Sequence, residues 1–209
     1  MFLKRGFIYF IGIFLIGSGV ASIIKADLGA GAWDALYVGL SHRIGLTTGT
    51  WVWLIGLIII MLNAWIGMER PDFSAFLTVF ILGNVIDFAL YLLLDPIQLT
   101  GWFPKVLLFA IGFILIPVGS GIYLQARFAT NPFDKLMLAL NQRLNISIGL
   151  ARFISEFSAL ILAWLFKGPV SLGTVFIALF IGPAIQLNYR YFNRLLNDQE
   201  EWGIQSDNT

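Results

Sequence analysis

The sequence predicts an all-α polytopic membrane protein with six transmembrane helices, two short half-helices and two inverted-topology repeats. Three observations carry this. Hydrophobic residues make up 58% of the 209 positions and charged residues only 12%, where a soluble domain carries about 25% charge. Apolar runs of roughly twenty residues recur along the chain, each long enough to cross a hydrocarbon core of about 30 Å at 1.5 Å per residue. The chain also matches itself when shifted by 100 positions.

The first span, 6–24, follows Lys4 and Arg5 and contains Gly19-Val20-Ala21, which loosely resembles a signal-peptide cleavage site. Its repeat partner, 102–124, lies in mid-chain, so 6–24 is read as a retained span. Segment 28–40 is apolar on one side only and about 20 Å long as a helix, too short to cross. Spans 50–67 and 73–94 complete the first half. The second half repeats the order with 102–124, a short helix at 132–144, and spans 149–166 and 170–189. The polar stretch 193–209, with Asp198, Glu200 and Glu201, reads as a solvated cytoplasmic tail.

Lysine and arginine collect in cytoplasmic loops. With six crossings, Lys4, Arg5, Arg70, Arg127, Lys135, Arg143, Arg152, Arg190 and Arg194 fall on one side, against Lys25, Arg43, Lys105 and Lys167 on the other. Both termini are therefore expected in the cytoplasm. Eight full crossings would shrink this bias.

Composition also excludes function classes. A net charge of +1 without a basic block offers nothing to hold nucleic acid. The chain has no cysteine and one histidine, His42, so thiolate chemistry and a histidine metal cluster are out of reach. Gly119-Ser120-Gly121 resembles an intramembrane serine nucleophile, but His42 sits in a loop. No enzyme activity, cofactor or metal is expected. The expected partners are the lipid bilayer, a small molecule and, for so small a chain, a second copy in a homodimer.

Superposing 11–62 on 111–162 gives twelve identities in 52 pairs without a gap, including Gly12/Gly112, Gly19/Gly119, Asp34/Asp134 and Gly49/Gly149. Composition alone predicts roughly one in ten, and chance would not also align both short helices. Further on, Thr78-Val79-Phe80-Ile81 and Gly83 match Thr174-Val175-Phe176-Ile177 and Gly182. The halves are 1–95 and 96–192. Each holds an odd number of crossings, so tandem copies enter the bilayer from opposite sides. Inverted repeats with short helices at equivalent positions are a feature of secondary transporters.

Trp33, Leu36, Tyr37 and Leu40 form one helical stripe, and Phe133, Leu136, Met137 and Leu140 repeat it. Asn131 suits a helix N-cap and Pro132 the first turn, which puts Asp134 at the third helical position. Gly31 and Asp34 fill the same offsets. Two readings stay open for the aspartate pair: capping groups worth about 1 kcal/mol each, or carboxylates lining a polar cavity.

The paired pattern of glycine-bearing span, Ala-x-x-Gly/Ala-x-x-Pro/Ala-aromatic-Asp-x-Leu element and a following Gly45-x-Thr47-x-Gly49 stretch resembles the YczE/YyaS/YitT group of bacterial multi-pass membrane proteins, over about residues 5 to 195. The resemblance implies a bacterial plasma-membrane protein with transport as the expected activity, and transfers no catalytic residues. Ala32 stands where the second copy has Pro132, and Asn145 and Ser147 where the first has Gly45 and Thr47, so the halves need not contribute equally.

Within the spans, Asp87 follows Asn84 on one helix face, and Gln186, followed by Asn188, is its counterpart. Glu156 stands one turn after Arg152. Lipid exposure of such a charge costs about 2.5–3.5 kcal/mol on insertion scales, so each should face protein or water. Asp87 and Glu156 read either as ion-coupling carboxylates or as partners of Asn84 and Arg152. The candidate site is thus Asp34, Asp134, Asp87, Asn84, Asn131, Glu156 and Gln186. Two functions are expected: a small secondary transporter or exporter, or a non-transporting membrane partner supporting another complex.

Overall fold

A computed structural model describes residues 2–126, 128 and 131–205, with side chains omitted for 2–4 and 196–205. All regular structure among the described residues is helical: α1 (Phe2–Ala26), α2 (Ala32–Ile44), α3 (Thr48–Gly67), α4 (Ser74–Phe88), α5 (Trp102–Gln125), α6 (Pro132–Leu144), α7 (Ile148–Leu165) and α8 (Leu172–Gln205). A wider π-helical turn, Ala89–Leu93, prolongs α4. Six helices are long and apolar enough to cross a membrane, and α2 and α6 are the two that are not. Phe7, Phe10, Leu77, Ile114, Trp164 and Leu179 lie exposed on the outer faces, where lipid rather than water is the solvent.

Glycine decides the central contact. A β-carbon on Gly12 would stand 2.5 Å from Cβ of Tyr123 and 2.8 Å from the carbonyl oxygen of Gly119; one on Gly112 would stand 2.6 Å from the carbonyl oxygen of Gly19. Without side chains at these positions, α1 and α5 cross backbone to backbone, as small residues allow in membranes. The two contacts, Gly12 to Gly119 and Gly19 to Gly112, exchange when every number is moved by 100.

Three features depart from the sequence reading. The first short helix starts at Ala32 rather than 28, because Leu28 and Ala30 pair with the α7–α8 corner instead. Ala30 donates its N–H to Pro169, and Leu28 accepts from the N–H of Gly173 and the hydroxyl of Ser171. Gly29 holds φ at +111°, and a β-carbon there would meet Ser171 and Thr174. The last helix does not stop at 189 but continues through Gln205, so much of the polar tail is helical. Asn84 does not pair with Asp87; its amide bonds the Phe80 carbonyl one turn back. Asn63 bonds within the protein, donating to the Pro132 carbonyl at 2.7 Å.

Candidate functional site at the junction of the short helices

The first turns of α2 and α6 approach each other through their aromatic side chains. Asn131 caps α6, its side chain accepting from the N–H of Phe133, with Pro132 following. Gly31 precedes α2 with no side-chain cap. The Trp33 and Phe133 rings lie 4.7 Å apart between centroids, and Phe133 lies 6.4 Å from Tyr37. This junction brings Asp34 and Asp134, one from each first turn, to the same region of the molecule. Helix α7 packs against both short helices and carries Glu156 into the group. Glu156 feels the charges of Arg152 and Asp134, and Asp34 feels Glu156.

Burial, with the Glu156 charge adding to it, pushes the Asp34 carboxyl up to about 7. The carboxylate turns back over its own helix start: a β-carbon on Gly31 would sit 2.9 Å from Oδ2 of Asp34. Among the described residues, Asp34, Asp134 and Glu156 accept no hydrogen bond and form no ion pair; the two ion pairs are Lys105–Asp27 and Lys135–Asp72. Arg152 does not bond Glu156. Its guanidinium reaches across to α8, where a β-carbon on Gly182 would be 3.4 Å from Nη1.

Two participants escaped sequence reasoning. Tyr37 is 3% exposed and its hydroxyl has no partner, although it lies within electrostatic reach of Asp34 and Glu156. The only hint was a phenol at the polar tip of an otherwise apolar stripe. Tyr123 of α5 borders Asp134, and nothing in the sequence singled it out.

Asp87 is engaged elsewhere. Its carboxylate accepts from the Gly49 N–H at 2.7 Å and from the Thr47 hydroxyl, so it docks on the start of α3. Beside it Gly49 and Gly83 are in backbone contact, each lying against the other's carbonyl. In the second half the corresponding residues are apart. Gly149 has nothing within 4 Å of its β-carbon position, and Ser147 bonds only the N–H of Leu150 in its own helix. Gln186, one turn after Gly182 on the same face, is exposed. Thus α3 packs along α4, whereas α7 and α8 run without such a contact. The sequence supplies a reason: Glu156 stands 100 residues after Gly56, and a β-carbon on Gly56 would be 2.7 Å from Val79 of α4. A glutamate cannot make that approach.

A recess of about 190 Å³ lies at the α3–α4 corner under α6, lined by Asn63, Arg70, Asp72, Lys135 and Gln142 among others. There the Lys135 ammonium, with the Ser74 hydroxyl, holds the Asp72 carboxyl below the usual carboxylate range.

The family model described as "Family of unknown function (DUF6198)" matches residues 3–190. The chain belongs to the DUF6198 family. It is 38% identical over 167 residues to the uncharacterized protein YyaS of Bacillus subtilis, covering 80% of this chain and 83% of YyaS. It is 30% identical over 190 residues to the uncharacterized membrane protein YczE of the same organism, covering 90% and 87%. An uncharacterized protein of Haemophilus influenzae is 27% identical over 182 residues, covering 87% and 81%. No solved structure matches. The family and the YczE description agree with the apolar helices: this is an integral membrane protein.

Proposed function

We propose that the protein is a small secondary transporter or exporter working by alternating access, in the bacterial plasma membrane with both termini in the cytoplasm. The observation that carries the reading is the unequal state of equivalent contacts. Gly49, Gly83 and Asp87 close α3 on α4, while Gly149, Gly182 and Gln186 leave α7 and α8 parted. The hundred-residue offset and the reciprocal glycine contacts of α1 and α5 support two inverted halves. On that topology the closed end faces outward and the parted end opens to the cytoplasm. In the alternate state the second half would close as the first does now, with Gln186 docking on Ser147 and Gly149, while Asp87 lets go of α3. On this reading the junction of the two short helices would lie between the two gates, where a central binding site is expected.

Because the chain has no native cysteine, the test is clean. The double variant Ser147→Cys, Gln186→Cys, purified and placed in liposomes loaded with a pH-sensitive dye, is screened against small amphiphiles and metabolites. A cleavable cross-linker joining the two thiols should stop flux, and cleavage should restore it. Cross-linked protein that exchanges at the unlinked rate rules out alternating access.

The competing role, a non-transporting membrane partner, draws support from α8, whose span is only 11% buried and exposes Leu172, Leu179 and Leu187. Association with another membrane complex in the absence of any flux would favour it.

A further inference from the structure

We propose that the junction of the α2 and α6 starts with α7 binds a monovalent organic cation with an apolar or aromatic body. The proposal rests on the transport reading for its role, but its chemistry follows from the side chains gathered at that junction.

Charge sets the sign. Among the described residues Asp34, Asp134 and Glu156, when all are ionised, bring three carboxylates against one guanidinium, Arg152, a formal balance of −2. The two helix starts that meet there add about +0.5 each, which leaves roughly one negative charge. None of the three carboxylates is neutralised by an ion pair among the described residues, and an unpaired carboxylate at membrane depth has to be met by water, a proton or a cation. A dication would overshoot the balance, and an anion would meet repulsion.

The shape argues for an organic rather than an inorganic ion. Among the described residues no three acidic or histidine side chains converge closely enough to hold a metal ion. The surroundings are instead aromatic. Trp33 and Phe133 are half-buried at the junction, and Tyr37 packs behind Phe133. Ring faces near carboxylates attract substituted ammonium groups. The Tyr37 hydroxyl, buried and without a partner, supplies an independent sign that a ligand belongs here, since a buried donor left unmade is costly.

Access fits as well. Glu156 and Asp34 are partly exposed, Asp134 and Arg152 more so, and on this proposal the side where α7 and α8 do not pack closely would be the route to them. Closing that gap would bury Arg152 and Glu156. Their burial is unfavourable unless the excess negative charge is met, so a bound cation would favour closure.

The test is equilibrium binding to full-length purified protein in nanodiscs, by calorimetry, which does not depend on flux. Benzyltrimethylammonium is compared with benzylsulfonate, of similar shape and opposite charge. The cation should bind and the anion should not. Asp34→Asn and Glu156→Gln should each weaken binding tenfold or more, and Tyr37→Phe several-fold. Asp27→Asn, in an exposed ion pair with Lys105, should leave it unchanged. Variants are checked for an unaltered elution profile and melting temperature, and Tyr37→Phe, which removes one buried atom, keeps the test open if a charge variant misfolds. Equal affinity for cation and anion, or tight cation binding by Asp34→Asn and Glu156→Gln alike, overturns the proposal. Binding as expected with no flux in liposomes would sustain the site and remove the transporter; flux of other compounds with no cation binding would do the reverse.

Discussion

Asp87 accepts a hydrogen bond from the backbone N–H of Gly49 at 2.7 Å, bringing a charge from mid-membrane in α4 onto the positive start of α3. A hydrogen bond to a charged group contributes about 1.5–3 kcal/mol, and the helix end adds to it. With the Thr47 hydroxyl and the Gly49–Gly83 contact, this one side chain holds α3 against α4.

Asp87→Asn should therefore abolish coupled flux while leaving the protein folded in the membrane. The amide keeps the shape and loses the charge, which biases the gate toward opening by tenfold or more. Liposome assays alongside a thermal melt would check this; wild-type flux would remove Asp87 from the mechanism.

The Asp34 carboxyl, raised to about 7, makes cation binding depend on pH. Above that value it is ionised and available; below it a proton occupies the position. Affinity for benzyltrimethylammonium should rise with pH through about 7, and Asp34→Asn should flatten the profile. The charged group facing it is Glu156 on α7, which itself feels Arg152 on α7 and Asp134 on α6, and Tyr37 lies beside it on its own helix. Calorimetry from pH 5.5 to 8.5 would decide.

The α1–α5 crossing should tolerate nothing larger than hydrogen at its centre. Gly12→Ala and Gly112→Ala should each destabilise by at least the 1–3 kcal/mol typical of overpacking, because backbone has to move. Gly6→Ala, with nothing within 4 Å, should be neutral. Chemical denaturation in detergent would show the contrast.

Lys135 and Asp72 pair with both side chains about a third exposed, 36% and 35%. Solvent screening limits such a pair to about 0–1 kcal/mol. Asp72 is depressed by its partner, so the contribution is present above the unfolded carboxyl value of about 3.9 and disappears as pH falls through the lower folded value. Lys135→Met should lower the melting temperature slightly at pH 7, and the difference from wild type should vanish under strongly acidic conditions.

Arg43 and Arg143 are both exposed and lie one repeat apart. Arg43→Cys and Arg143→Cys should react with an impermeant maleimide from opposite sides of the membrane. Labelling of both from one side would end the inverted arrangement and with it the main support for transport.

The spans were legible because crossing a bilayer demands length and apolarity, and both are written locally. The start of α6 was legible for a similar reason: Asn131 and Pro132 are local capping chemistry. The start of α2 was not, because Leu28 and Ala30 are held by partners near residue 170, a tertiary pairing that no local pattern reveals. The short-helix aspartates came from the hundred-residue match. The partner of Asp87 was hidden, since Gly49 lies 38 residues away and meets it only when α3 folds onto α4. Arg152 was read against its neighbour on α7, whereas its reach is to the next helix.

Gly56 and Glu156 occupy one offset and do opposite jobs: the first lets a neighbouring valine nest, and the second keeps its neighbour at a distance. On the proposed duplication, ancestral twins have divided labour, one arm becoming the latch and the other the vestibule. A chimera built from two first arms would be sealed at both ends, and one built from two second arms would leak.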